Sequence, residues 1–274
     1  MFTERALEAS GWRAAALHAA ARLLLPSRCL ACRAESLRLA GRGGVCAGCW
    51  EKLPRLDAPR CSVCDEPRAS LSREDRPCGR CLLDPPPFDH LSAAAPYRGV
   101  ARQVLLAFKF GGADYLARHL AAVMAERISA DDGFDFVAAV PATPRARRRR
   151  DHAADLLARA VAAGRALPFR RRALRKVRET VRQSLLAQAR RAANVRSAFR
   201  AEIPGGAAVL LVDDVATSGA TARECSRALR AAGASRVVVW CFARASRADV
   251  DFEPPEESLG PGDPPGAPVS QNGN

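Results

Sequence analysis

The sequence has few aromatic residues, almost no lysine and no long apolar run, and each shortage narrows the functions open to it. Aromatics make up 5% of the chain, which leaves little material for a platform on which single-stranded bases would stack. Of 43 lysines and arginines only Lys52, Lys109 and Lys176 are lysines, a bias that a GC-rich genome explains as well as a partner does. The best apolar stretch, residues 17–26, contains His18 and Arg22 and falls far short of the ~18 consecutive apolar residues of a spanning helix. The first thirteen residues mix acids with arginines and lack the uninterrupted apolar stretch of a signal peptide. These features predict a cytoplasmic protein with no membrane span. No G-x-x-x-x-G-K-[ST] occurs and no G-x-G-x-x-G follows a strand, so neither a P-loop nor a dinucleotide fingerprint is present.

What is present is uneven. The net charge is +14, and the segment from Arg145 to Arg200 holds 18 basic residues against Asp151, Asp155 and Glu179. The positive charge is therefore local, as on a surface that meets phosphates. Eight of the ten cysteines form four C-x2-C pairs: Cys29 and Cys32, Cys46 and Cys49, Cys61 and Cys64, Cys78 and Cys81, with gaps of 13, 11 and 13 residues between pairs. A two-residue gap lets one tight turn aim both sulfurs at one point, and two such pairs complete a tetrahedral Zn2+ site. Without a secretion signal, two structural zinc sites are expected rather than a disulfide scaffold. Consecutive pairing is simplest, but spacing alone leaves an interleaved arrangement open. Cys225 and Cys241 lie in helical and strand-like contexts and read as ordinary buried cysteines.

The proline run of residues 82–91 suits a boundary between folding units. Beyond it, apolar patterning predicts strands over 91–97, 134–140, 209–212 and 236–242, and helices over 100–110, 116–128, 153–163 and 221–232. Such alternation implies an α/β fold, a parallel sheet with helices on both faces. Ligands in such sheets dock at the carboxyl ends of the strands. From Asp249 onward the chain carries six prolines, six acids and no basic residue, a composition expected to be disordered.

The segment VLLVDDVATSGAT, residues 209–221, concentrates the chemistry. A buried strand runs into Asp213 and Asp214, then into a loop with the hydroxyls of Thr217, Ser218 and Thr221 at the start of a helix. Backbone N–H groups at a helix N-terminus favour an anion, and a phosphate monoester fits. Paired acids beside a phosphate cradle call for a ligand that carries both phosphate and hydroxyls, and a sugar phosphate has both.

This stretch resembles the phosphoribosyl pyrophosphate (PRPP) signature of type I phosphoribosyltransferases. The likeness spans nearly the whole chain and narrows to the ComF family, which joins a double zinc ribbon to such a domain. It is carried by the four C-x2-C pairs, CGRCLLDPPPFD (78–89), YRGVARQVLLAFKF (97–110), VPATPRARRR (140–149) and RETVRQSLLAQARRAANVRSAF (178–199). The resemblance implies a type I phosphoribosyltransferase fold over 88–247 after a double zinc ribbon over 29–84. A helical segment (1–28) would precede them and a disordered tail (248–274) would follow.

By the same resemblance, Asp213 and Asp214 would bind the ribose and Mg2+, and Ala216, Thr217, Ser218, Gly219, Ala220 and Thr221 would hold the 5′-phosphate. Thr143, Arg145 and Arg147 would contact pyrophosphate, and Arg178 and Gln183 would lie on a mobile loop that closes over the site. The implied activity is a glycosyl (pentosyl) transfer from PRPP, with Mg2+ accompanying the substrate. A second implication is a competence role in DNA uptake, with single-stranded DNA or DNA-processing proteins as partners and the phosphoribosyl site as sensor or remnant. The sequence departs from the pattern twice. Thr217 stands where 6-oxopurine salvage enzymes carry an aspartate, which disfavours purine salvage. Arg149, Arg150, Asp151 and His152 stand where ComF-like chains usually read Arg-Gly-Phe-Asn, which puts the start of the following helix in doubt.

Overall fold

The structure is a computed structural model that describes residues 27–36, 43–56, 59–68, 76–128, 133–141, 153–177 and 198–245. Thr143, Arg145, Arg147, His152, Arg178, Gln183 and the acidic tail lie outside the described residues, as does the expected N-terminal helical segment apart from Ser27 and Arg28.

A four-stranded parallel sheet organises the chain. It comprises β3 (His90–Pro96), β4 (Phe136–Ala139), β7 (Ala208–Ala216) and β8 (Arg236–Arg244), in the order β3-β8-β7-β4. The central strands, β7 and β8, read as nearly unbroken apolar runs because both faces of a parallel sheet are covered. Alternate side chains feed two different cores. Leu210, Val212, Val238, Trp240 and Phe242 enter one, and Val209, Leu211, Val237, Val239 and Cys241 enter the other. Full burial of each large side chain contributes roughly 1.5–3 kcal/mol, so the two central strands anchor both halves of the fold.

The first core is closed by α3 (Gly99–Phe110), α4 (Ala117–Arg127) and α5 (Ala153–Gly164). Their buried positions recur at helical spacing: Ala101, Val104, Leu105 and Phe108 in α3, and Ala154, Leu157, Ala158 and Val161 in α5. A 3-10 turn, Asp114–Leu116, precedes α4, so the helix expected from 116 begins one residue later. The second core is closed by α6 (Ala220–Ala231) and an antiparallel pair, β5 (Leu174–Lys176) with β6 (Phe199–Ala201). That pair was not foreseen, since three-residue strands are too short to show a period.

The Cys-rich region forms two knuckles. The first contains the antiparallel pair β1 (Ser27–Arg28) and β2 (Glu35–Ser36) and the short helix α1 (Ala47–Glu51). The second holds the bridge between Arg60 and Pro67 and the short helix α2 (Gly79–Leu83). They do not pack on one another's core. Cys29, Val45, Cys49 and Leu53 join the α3–α4–α5 core, whereas Cys61, Cys64 and Cys81 join the α6 core on the opposite face of the sheet. Arg127 of α4 fastens the first knuckle by donating to the carbonyls of Leu53 and Pro54 at 3.1 and 2.8 Å. Gly43 (φ 62°) sits against the same helix, and a Cβ there would stand 2.6 Å from the His119 ring. Both its backbone angle and the close approach require glycine.

Candidate functional site

Each group of four cysteines comes from consecutive pairs: Cys29, Cys32, Cys46 and Cys49 in the first knuckle, and Cys61, Cys64, Cys78 and Cys81 in the second, with the sulfurs of each group within 4.8 Å of one another. This settles the pairing that spacing left open. Sulfurs at the corners of a tetrahedron with Zn–S bonds of about 2.3 Å are about 3.8 Å apart, whereas a disulfide brings them to about 2.05 Å. The separations Cys29–Cys49, Cys32–Cys46 and Cys64–Cys78 are each 3.8 Å. The donor set therefore fits two structural zinc ions.

The knuckles also prepare one thiolate each. Burial opposes ionisation of Cys29, but N–H groups of Cys32, Cys46 and Ala31 outweigh it and bring the thiol down to about 6. Burial is likewise outweighed at Cys61, where N–H groups of Cys64, Cys78 and Val63 bring it to about 7. The corresponding bonds, Cys46 N–H to Cys29 Sγ at 3.3 Å and Cys78 N–H to Cys61 Sγ at 3.1 Å, show the same construction used twice. Cys225 and Cys241 stand apart from both groups. They are wholly buried, and burial pushes both thiols well above their ordinary range.

The acidic pair lies on β7, which continues past the expected end at 212 through both aspartates to Ala216. The parallel ladder to β8 explains the extension, since Asp213 pairs with Cys241, Val215 with Ala243 and Ala216 with Arg244. The first residue of the expected phosphate loop is thus still strand. Asp213 accepts a hydrogen bond from the Asp214 N–H at 2.9 Å. Burial and the adjacent Asp214 carboxylate push the Asp213 carboxyl up to about 7, against the pull of Lys109. Lys109 Nζ lies 3.0 Å from Asp214 Oδ1. Burial disfavours the Lys109 charge, but Asp214 and Asp213 together hold its titration above the ordinary value.

Residues 217–219 turn from β7 into α6. Gly219 has φ 73° and ψ 4°, and a Cβ would meet nothing within 4 Å there, so the left-handed angle alone calls for glycine. Ser218 Oγ accepts from the Ala220 N–H at 3.3 Å. The first turn of α6 carries no acid, which keeps the positive end of the helix dipole available to an anion. The side chain of Arg223 in that turn is held by the Asp84 carbonyl at 2.7 Å. Beside Lys109, at the end of α3, lies a cleft of about 410 Å³ lined by Phe108, Phe110, Gly111, Gly112 and Asp114.

Lys109 and Arg244 are the site residues the sequence reading did not single out. Lys109 had a signal, since it is one of three lysines in an arginine-dominated chain. Arg244 had none: it ends β8 two residues beyond the strand expected over 236–242. It is 1% exposed, and it donates to the Ala216 carbonyl at 2.9 Å and also to the Thr217 carbonyl.

The double zinc ribbon domain family matches residues 20–82. The DNA utilization protein YhgH of Escherichia coli (strain K12) is 31% identical over 230 residues, covering 81% of this chain and 99% of that protein. The chain belongs to the ComF family. Competence protein F of Haemophilus influenzae is 29% identical over 229 residues, covering 80% of this ComF-family chain and 97% of the relative. Among solved structures, the glutamine PRPP amidotransferase from B. subtilis complexed with ADP and GMP aligns at TM-score 0.34 and 26% identity, over 47% of this chain and 26% of that one. An adenine phosphoribosyltransferase aligns at TM-score 0.34 and 15% identity, over 53% and 76%. These likenesses are partial. No helix among the described residues is long and apolar enough to cross a membrane.

Proposed function

We propose that the chain binds PRPP at the carboxyl end of β7 and transfers its phosphoribosyl group to an acceptor. The observation that carries this reading is one continuous stretch, residues 213–221, in which an acidic pair passes directly into a glycine turn and a helix N-terminus free of first-turn acids. Asp213 and Asp214 accept hydrogen bonds from the ribose hydroxyls, and the N–H groups and hydroxyls from Ala216 to Thr221 hold the 5′-phosphate. Thr143, Arg145 and Arg147 hold the pyrophosphate, and Arg178 and Gln183 belong to the segment that closes over it.

Positive charge at the leaving group is what the chemistry needs, because the bond from the anomeric carbon to the pyrophosphate oxygen breaks as an oxocarbenium-like centre develops. Mg2+, held with the substrate by Asp213 and Asp214, would supply further charge neutralisation at the leaving group. Lys109 already offsets one of the two carboxylates in the free chain, which lessens the repulsion that a polyanion meets there. The cleft beside Lys109 is the space for the acceptor. Thr217 provides no carboxylate for a purine, so the acceptor is not expected to be a 6-oxopurine. The test is incubation with PRPP and Mg2+ while pyrophosphate release is followed. Release that requires Asp213 and Asp214 supports transfer, and its absence with every nucleophile tried reduces the proposal to binding.

A second reading is favoured by the relatives' names, DNA utilization protein and Competence protein F. In it the chain serves DNA uptake by binding single-stranded DNA or its processing proteins, with the sugar-phosphate site as a sensor. Its discriminating measurement is affinity for single-stranded DNA against salt. A true interface loses affinity steeply with salt and weakens when Arg147 to Arg150 are neutralised, while equal weak binding of any polyanion removes this reading.

A further inference from the structure

We propose that Arg244 is the positioning residue of the phosphate loop, and that Glu66 couples it to the second zinc knuckle, so that this knuckle, unlike the first, sets the loop's grip on a 5′-phosphate. The inference rests on the reading that residues 216–221 hold that phosphate.

The guanidinium of Arg244 has two kinds of partner. Nη1 donates to the carbonyls of Ala216, at 2.9 Å, and Thr217, the two residues where β7 becomes the loop. Nη2 donates to Glu66 Oε2, in an ion pair whose arginine side chain is 0% exposed and whose glutamate is 21% exposed. The remaining nitrogen, Nε, is buried and has no hydrogen-bond partner among the described residues. A guanidinium so enclosed has no water to replace a lost partner, and breaking a buried pair on one side leaves an uncompensated charge. The position of Glu66 is therefore transmitted to the carbonyls of Ala216 and Thr217, whose peptide planes set the direction of the N–H groups that follow.

Glu66 is itself held by the second knuckle. It stands two residues after Cys64, and its carbonyl accepts from the Cys61 N–H at 2.9 Å. The preceding residue, Asp65, is buried at a left-handed φ of 58° and accepts from the Ala93 N–H of β3 at 2.8 Å. The turn that presents two thiolates to the metal thus also presents Asp65 to the sheet and Glu66 to Arg244. The four-thiolate zinc site would fix this turn as a cross-link. The first knuckle is built alike but packs into the core on the other face of the sheet, fastened to Arg127.

The experiment compares the full-length chain with Glu66→Gln, which keeps shape and removes charge, and with Glu66→Asp, which keeps charge and shortens the arm. Glu202→Gln, at an exposed ion pair with Arg175, is the control. Affinity for PRPP with Mg2+, affinity for pyrophosphate with Mg2+, and zinc content are measured for each. Glu66→Gln is expected to keep two zinc ions per chain and its pyrophosphate affinity, yet to bind PRPP at least tenfold more weakly, with partial recovery in Glu66→Asp. A purely structural role would weaken both ligands together. PRPP affinity within twofold of the wild type in Glu66→Gln overturns the coupling while leaving the binding reading intact. Absence of PRPP binding by the wild-type chain overturns the binding reading and this inference with it. Should Glu66→Gln not fold, the selective loss is read from Glu66→Asp, and an unchanged PRPP to pyrophosphate affinity ratio there overturns the coupling.

Discussion

The acidic pair shows how much of a residue's role sequence can carry. Two adjacent aspartates after a buried run were visible as a docking point, but the raised titration of Asp213 was not, because it depends on burial and on the Asp214 carboxylate, against the pull of Lys109 from a distant helix. Asp213 is pushed up to about 7 by burial and by Asp214, so the folded chain keeps a proton that the unfolded chain releases near its ordinary value of about 3.9. The sign follows directly: this carboxyl costs no stability at low pH, costs progressively more from roughly pH 4 to about 7, and adds nothing further above that. Asp213→Asn should therefore gain stability over the wild type at pH 8 but not at pH 4, by on the order of a few kcal/mol in urea unfolding. The same proton competes with the ribose hydroxyls, so PRPP affinity should weaken up to about tenfold per pH unit below about 7. Lys109→Met should weaken PRPP binding by about tenfold or more and destabilise the fold, since it leaves the buried Asp214 without its counter-charge. Unchanged affinity in a folded Lys109→Met variant would remove Lys109 from the site.

At the scale of elements, the helices and central strands were legible because each buries a periodic or continuous apolar face. The ends were less so. β7 was expected to stop at Val212, but the ladder to β8 carries it to Ala216, since backbone pairing tolerates aspartate when an adjacent strand supplies partners. The short pair β5–β6 left no period to read, and the links of Arg244 to Glu66, 178 residues apart in sequence, leave no local trace. The turn into α6 was legible through its glycine. Gly219 holds φ 73° with open space around its Cβ position, so Gly219→Ala tests conformation rather than clash. It should cost about 1 kcal/mol of stability and weaken 5′-phosphate binding by more than that loss alone explains, as read by titration with ribose 5-phosphate.

For the whole molecule, the eight cysteines announced two metal sites, and the structure adds where they are placed. Small Cys-rich domains commonly fold only with their metal, which taken alone predicts that chelation unfolds that region selectively. The shared cores alter this expectation, because Cys29 and Cys49 pack with α3, α4 and α5, and Cys61, Cys64 and Cys81 pack under α6. Removing zinc should therefore lower the thermal transition of the entire chain in a single cooperative step, and metal analysis should return two zinc ions per chain. A low-temperature transition confined to the knuckles, with the sheet melting unchanged, would show that the cores are independent.

The central claim is that residues 213–221 form a sugar-phosphate site. Isothermal titration of PRPP with Mg2+ into the zinc-loaded chain tests it most directly. The account predicts one PRPP per chain, with binding abolished by Asp213→Ala combined with Asp214→Ala while zinc content and folding persist. No measurable binding by the wild type, or equal binding by the double variant, would contradict it.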